Sequence, residues 1–181
     1  VPYPIRETKE NISTSTEKFC TPTKEEIIAK AFKAHSEGNL DKAAKYYRLF
    51  IDEGFIDPRV FANYGIILNI SNQIDEAEIF TRKAIELKPD FFQAHNNLGL
   101  ILMKDLSKLK EAEKSIKKTI ELKPDLATAH NNLGIILKNL GDLEEAEIST
   151  SKAIELSPNY AEAYNNLGTI RKELGKLKEA E

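Results

Sequence analysis

Tryptophan is absent from this sequence, and cysteine and methionine occur once each. With Cys20 alone no internal disulfide can form, so packing and hydrogen bonding must hold the fold, and a cytoplasmic, reducing compartment is compatible. Cys20 has no paired histidine and lies in a polar leader, which argues against a catalytic thiol. Long apolar runs are missing: nothing approaches the roughly 18 residues of a membrane span, and no basic-plus-apolar leader marks secretion. Positive charge is not in excess, with 26 Lys and Arg against 29 Asp and Glu and a net charge of −3. Neither nucleic acid nor an anionic membrane is therefore an expected partner. There is no glycine-rich phosphate loop, nucleophile elbow or paired-carboxylate site. We expect no catalysis within this chain, no cofactor and no metal.

What is present is a folding composition, 41% hydrophobic and 30% charged, and a strong internal period. Gly65, Gly99, Gly134 and Gly168 are spaced by 34, 35 and 34 residues, and Ala43, Ala77, Ala112, Ala146 and Ala180 keep the same beat. One step back from Gly65 lies Ala31, a small residue in register. About four and a half units result, with approximate boundaries 23–56, 57–89, 90–124, 125–158 and a truncated 159–181, after a leader at 1–22 rich in Pro, Ser, Thr and charge. The chain opens on Val1 and stops inside a helical pattern at Ala180–Glu181, so a longer protein is expected around it.

Each unit reads as two helices. Thr23 with Glu26, Asp90 with Gln93, and Asn159 with Glu162 have the spacing of capping boxes. Asp57–Pro58 offers a cap followed by proline at the first helical position. Glu78–Arg82 and Glu113–Lys117 are i,i+4 pairs on the wet side of the second helices. Pro89, Pro124 and Pro158 stop those helices. Gly38, Asn72, Ser107, Gly141 and Gly175 occupy the turn within each unit, where a left-handed residue suits a helix end. Ser107 fits poorly and coincides with the one-residue insertion, so the preceding helix is expected to end loosely near Met103–Asp105.

The helix–turn–helix period, with its glycine, alanine and closing proline, resembles the tetratricopeptide repeat family over residues 24–181. Ala31 departs from the family glycine, and Thr81, Ile116 and Thr150 stand where an aromatic is usual. His95 and His130 also stand at a position that is commonly aromatic. The resemblance implies an all-α, right-handed α-solenoid of antiparallel helix pairs, with first helices lining a concave groove. It further implies a protein-interaction scaffold that takes an extended peptide or protein segment in that groove. The alternative is the substrate-recognition arm of a larger bacterial enzyme, a glycosyltransferase or sulfotransferase whose catalytic domain lies outside this chain.

Counting about 100° per residue from each glycine places two asparagine columns on the groove side. One is Asn63, Asn97, Asn132 and Asn166; the other is Asn96, Asn131 and Asn165. Beside them run Ile66, Leu100 and Ile135. These ten residues are the candidate binding groove. Asparagine lowers helix propensity, but its uncharged amide donates and accepts, so a column of amides suits recognition of an extended backbone. The other reading is structural, each amide bonding a neighbouring helix. On the groove reading the asparagines lie outside the core, and changing Asn97, Asn132 and Asn166 to alanine should hardly alter stability. A similar asparagine-lined groove in O-linked N-acetylglucosamine transferases holds polypeptide. On the same stripe Arg59 is the one cation, which disfavours a clamp for acidic chaperone C-termini. His95 and His130 are read as packing residues rather than metal ligands. Leu167, Ile170 and Leu174 are expected to lack full cover, so the C-terminal unit should fray or self-associate.

Overall fold

A computed structural model describes residues 22–180, with side chains described through Gly175. The expectations for the leader, including those for Tyr3, Ile5, Phe19 and Cys20, lie outside these residues. The described part is all helical. Its elements are α1 (Lys24–Ser36), α2 (Leu40–Asp52), α3 (Pro58–Ile70), α4 (Ile74–Leu87), α5 (Phe92–Leu102), a short 3-10 turn (Leu106–Lys108), α6 (Leu109–Leu122), α7 (Ala127–Leu140), α8 (Leu143–Leu156) and α9 (Ala161–Ala180). Sequential helices pack in antiparallel pairs, and consecutive first helices also touch, α3 with α5 and α7 with α9. No two consecutive second helices approach as closely. A stack that is tighter on one side curves toward that side, so α1, α3, α5, α7 and α9 line the concave face of an α-solenoid.

Local chemistry explains where the helices start and stop. Thr23 and Glu26 form a complete capping box on α1, and Asp57 accepts from the Arg59 amide ahead of Pro58. The expected caps at Asp90 and Asn159 do not form. A bond from the Phe91 amide to the Lys88 carbonyl closes a turn around Pro89–Asp90, and one from Tyr160 to Ser157 does the same around Pro158–Asn159. Proline at the second position of a turn pulls the acid or amide into the third. The helix then begins two residues later, at Phe92 or Ala161.

The intra-unit turns behave as their residues dictate. Gly38, Asn72 and Gly141 have φ of 74°, 60° and 88°. Ser107 instead sits in the 3-10 turn, its amide and hydroxyl both bonded to the Asp105 carboxylate at 2.9 and 2.7 Å. The insertion shortens α5 to 11 residues, against 14 in α7. Gly175 does not turn at all, and α9 runs straight through it.

The core forms where the two helices of a unit meet. Ala43, Ala77, Ala112 and Ala146 are wholly buried. A Cβ added to Gly65 or Gly134 would collide with the hydroxyl oxygen of Thr81 or Thr150 and come within 3.2 Å of the Ala77 or Ala146 carbonyl oxygen. At Gly99 it would collide with Ile116. In the first unit Ala31 faces Tyr47 across the same junction, and both are 0% exposed. Leu167, Ile170 and Leu174 are buried, contrary to expectation. Ile170 and Leu174 join the cluster of Leu133, Leu137, Leu143 and Ala146 and so face back into the stack. The face of α9 without cover is the Gly168 side, where an added Cβ would meet nothing within 4 Å.

Gly134→Ala should therefore overpack the α7–α8 junction and cost about 1–3 kcal/mol. Gly168→Ala should be neutral or stabilising by up to about 1 kcal/mol, the helix propensity difference. Urea denaturation of the two variants checks this pair of opposite signs.

Candidate binding groove

The asparagine columns lie on the concave face, but much of their hydrogen-bonding capacity is used inside the protein. Asn131 is 0% exposed, Asn97 7% and Asn132 9%. That corrects the placement of the pairs outside the core. The burial arises because consecutive first helices touch, so an amide on one meets its neighbour before it meets solvent. Asn97 donates to the Ala62 carbonyl at 3.5 Å, and Asn132 to the Asn96 side-chain oxygen at 3.4 Å. Asn166 donates to the Asn131 side-chain oxygen at 2.9 Å, while Asn131 donates to the Tyr160 hydroxyl at 3.4 Å. Asn63 donates to the Tyr47 hydroxyl at 3.3 Å. The amides thus sew adjacent units together, which is the structural reading of the columns. Asn165 alone among them is exposed, and Asn63, Asn96 and Asn166 are half-buried. Ile66, Leu100 and Ile135 are also half-buried and form the aliphatic row.

A hollow of about 480 Å³ opens at the N-terminal end of the groove. Phe32, Tyr47 and Phe91 give it aromatic walls, and His35, Arg59 and Asn63 give it polar ones. Tyr47 organises the polar side. Its hydroxyl accepts from Asn63 and lies 2.9 Å from His35 Nδ1. With the Asn63 amide already donating to it, the hydroxyl proton is free to go to Nδ1, which leaves the His35 proton on Nε2. Burial pushes the His35 pKa down and the Tyr47 pKa up, both toward the neutral forms this arrangement needs.

Arg59 lies over the Phe32 ring, 5.2 Å from its centroid, and bonds Asp57 through Nε at 3.0 Å and Nη2 at 2.7 Å. Burial raises the Asp57 pKa, but the hydrogen bonds and charge of Arg59 outweigh it and hold the carboxyl below its ordinary value. The groove's cation is thus neutralised in place. A clamp for a free carboxylate terminus would need uncompensated positive charge there.

Part of this hollow was within reach of the register. Arg59 and Gln93 lie six residues before Gly65 and Gly99, Asn63 lies two before Gly65, and Phe32 follows Ala31 as Ile66 follows Gly65. Extending the aliphatic row one unit back would have reached Phe32. Tyr47 lies on a second helix, in register with Thr81, Ile116 and Thr150, so the period could have found it, whereas His35 at the end of α1 has no histidine in register in the other units. His95 and His130 lie outside the hollow. Each places Nε2 2.9 Å from a carbonyl oxygen, of Pro89 and Pro124. A carbonyl only accepts, so each ring donates there and staples the preceding loop to its helix. Among the described residues no three His, Cys, Asp or Glu side chains gather as a metal site. No described helix is long and apolar enough to cross a membrane.

The amides predict contrasting stability effects at equivalent positions. Asn131→Ala should cost about 1–3 kcal/mol, because Asn131 is itself fully buried and its loss leaves the half-buried Asn166 amide and Tyr160 hydroxyl without their partner. Asn165→Ala should be neutral or stabilising by up to about 0.7 kcal/mol. Thermal melting of both variants tests this, and a loss at Asn165 equal to that at Asn131 would contradict it.

Comparison with known proteins agrees with this architecture. Family models described as tetratricopeptide repeat match residues 58–91, 92–126, 127–160 and 150–181. No curated protein matches the sequence. Among solved structures, MamA (41-end) from Desulfovibrio magneticus RS-1 is similar with a TM-score of 0.75 and 22% identity, over 87% of this chain and 88% of that one. YrrB, described as a TPR protein with an unusual peptide-binding site, has a TM-score of 0.71 and 20% identity, over 80% of this chain and 74% of its own. The first TPR domain of Spaghetti (RPAP3), solved with the HSP90 peptide SRMEEVD, has a TM-score of 0.62 and 25% identity, over 65% and 93%. The register of glycines and alanines, the stacked helix pairs and the matches running from residue 58 to residue 181 together make this chain a member of the tetratricopeptide repeat family.

Proposed function

We propose that this chain is a non-catalytic interaction scaffold that holds an extended segment of a partner protein in its concave groove. The observation that carries the reading is the hollow bounded by Phe32, Tyr47 and Phe91, set at one end of the half-exposed aliphatic row. A cup of about 480 Å³ lies within the range typical of ligand pockets, roughly 300–1,000 Å³, and its walls suit an apolar or aromatic side chain. Next to it Arg59 keeps guanidinium N–H groups that Asp57 does not use. These suit the carbonyl oxygens of an extended backbone. Ile66, Leu100 and Ile135 then offer apolar contact along the same face. The ladder of amides contributes chiefly by holding the units in fixed register, so the groove is preorganised and little ordering cost remains for binding. The peptide-bound RPAP3 domain and the peptide-binding site attributed to YrrB support this class of function.

The test uses synthetic extended peptides, each with one phenylalanine in a serine, threonine and asparagine background, against the same peptides with alanine. The phenylalanine peptides should bind more tightly. Phe91→Ala should weaken them by about 1–2 kcal/mol, part of the value of burying an aromatic side chain. Leu100→Asp should weaken them as well. Ile79, 64% exposed on the opposite face, serves as the control, and Ile79→Asp should change nothing. Unchanged affinity in both groove variants, measured by fluorescence anisotropy, would refute groove binding.

A further inference from the structure

The hollow at the N-terminal end of the groove does not follow from stacking. Its four ringed residues are places where the sequence departs from the repeat. One unit on, Phe32, His35, Tyr47 and Phe91 are replaced in register by Ile66, Asn69, Thr81 and Leu126. The rings therefore meet here by substitution and not by the period. Phe32 and His35 stand one turn apart on α1 and both meet Tyr47 edge-on, with ring centroids 6.0 and 5.9 Å away and interplanar angles of 62° and 73°. Tyr47 is wholly buried, so this corner of the hollow is set before any ligand arrives.

The hydrogen bonds of the polar wall leave a particular remainder. The Tyr47 hydroxyl accepts from Asn63 and spends its proton on His35 Nδ1. His35 is neutral in that arrangement and carries its one proton on Nε2. His35 is half-buried, yet among the described residues nothing accepts from that N–H. Two acceptors are also left over. Asn63 bonds Tyr47 through its amide nitrogen, which leaves Oδ1. Ser36 donates to the Lys33 carbonyl, which leaves the lone pairs of its hydroxyl oxygen. An aromatic cup thus carries one ring N–H donor and two oxygen acceptors on its polar side.

We propose that this hollow selects tyrosine: the segment held in the concave groove presents a phenol there, its oxygen accepting from His35 Nε2 and its proton going to Asn63 or Ser36. The inference rests on groove binding and narrows it to one side chain. Phenylalanine would fill the cup but cover the His35 N–H with no acceptor, and a covered, unmet donor costs more than the bond itself contributes. The indole of tryptophan only donates, so it leaves the same N–H unmet. Phosphotyrosine accepts without donating, and its charge needs an uncompensated cation. Arg59 does not supply one, because Asp57 holds it at 2.7 Å.

The experiment uses the full 181-residue chain and four fluorescein-labelled peptides that differ only at the central residue of a serine, threonine and asparagine background. That residue is tyrosine, phenylalanine, tryptophan or phosphotyrosine. Anisotropy should rank tyrosine first, about tenfold tighter than phenylalanine. His35→Phe keeps a ring against Tyr47 and removes the N–H, and it should bring the ratio of tyrosine to phenylalanine affinity close to one. The ratio is taken within one variant, so a smaller folded fraction weakens both peptides alike and cancels. Should His35→Phe not fold by circular dichroism, His35→Leu takes its place with the same expected collapse. A ratio near one in the wild type, a preference that survives in the His35 variant, or tryptophan or phosphotyrosine binding as tightly as tyrosine would each overturn the proposal. Phenylalanine binding with no gain for tyrosine would leave the groove reading standing, whereas no binding by any of the four peptides would remove both.

Discussion

Within units two to four, a glycine of the first helix lies directly against the residue four past the alanine of the second. Gly65 meets Thr81, Gly99 meets Ile116 and Gly134 meets Thr150, with no room for a Cβ. This contact sets how closely two helices pack, and a close-packed pair buries its alanines completely. Each pair becomes a block with defined faces, and the stack of blocks has a defined curvature. The first unit solves the same junction differently. Ala31 there faces an aromatic, Tyr47, whose hydroxyl reaches past the junction to His35 and Asn63. The first unit thus has alanine and tyrosine where units two to four have glycine and threonine or isoleucine, and Tyr47 lines the hollow at the N-terminal end of the groove.

Between blocks the coupling is polar. Asparagine amides on successive first helices bond one another, a main-chain carbonyl or a tyrosine hydroxyl. An uncharged amide is affordable in a buried seam once its bonds are made, whereas a charged group there would carry a large desolvation cost. The helices give up some intrinsic propensity, and the array gains specific register. Charged ties run on the other side, where Arg82 bridges Glu78 and Glu111 and Arg171 reaches Glu147. Glu78 is held below its ordinary pKa first by its hydrogen bond from Lys108, despite its burial. That bond also ties the irregular turn created by the insertion back to α4.

The two faces therefore differ in chemistry for a structural reason. The concave side is where helices crowd, so it is amide-rich, nearly neutral and lined by half-buried apolar groups. The convex side is where second helices spread, so it is furrowed and charged. A scaffold of this kind offers two unlike surfaces from one repeated unit, and a local departure from the repeat, Tyr47 in the first unit, gives the concave surface its hollow.

The helix pairs, their order and the junction glycines were legible in the sequence because they depend on periodicity, and periodicity survives without coordinates. Thr23 and Asp57 capped as their residue types dictate, and Asn72 turned left-handed as an asparagine there would. Burial depended on neighbours that lie a whole unit away in the chain. Asn131 and Asn165 share one register position, yet the first is sealed between helices and the second faces solvent. Gly134 and Gly168 share another, and only the first has a helix against it. Gly175 has the sequence of a turn, yet α9 runs through it. Sequence determined which face each residue points to. Only the tertiary structure decided what waits on that face, because contact is a property of two segments and a register describes only one.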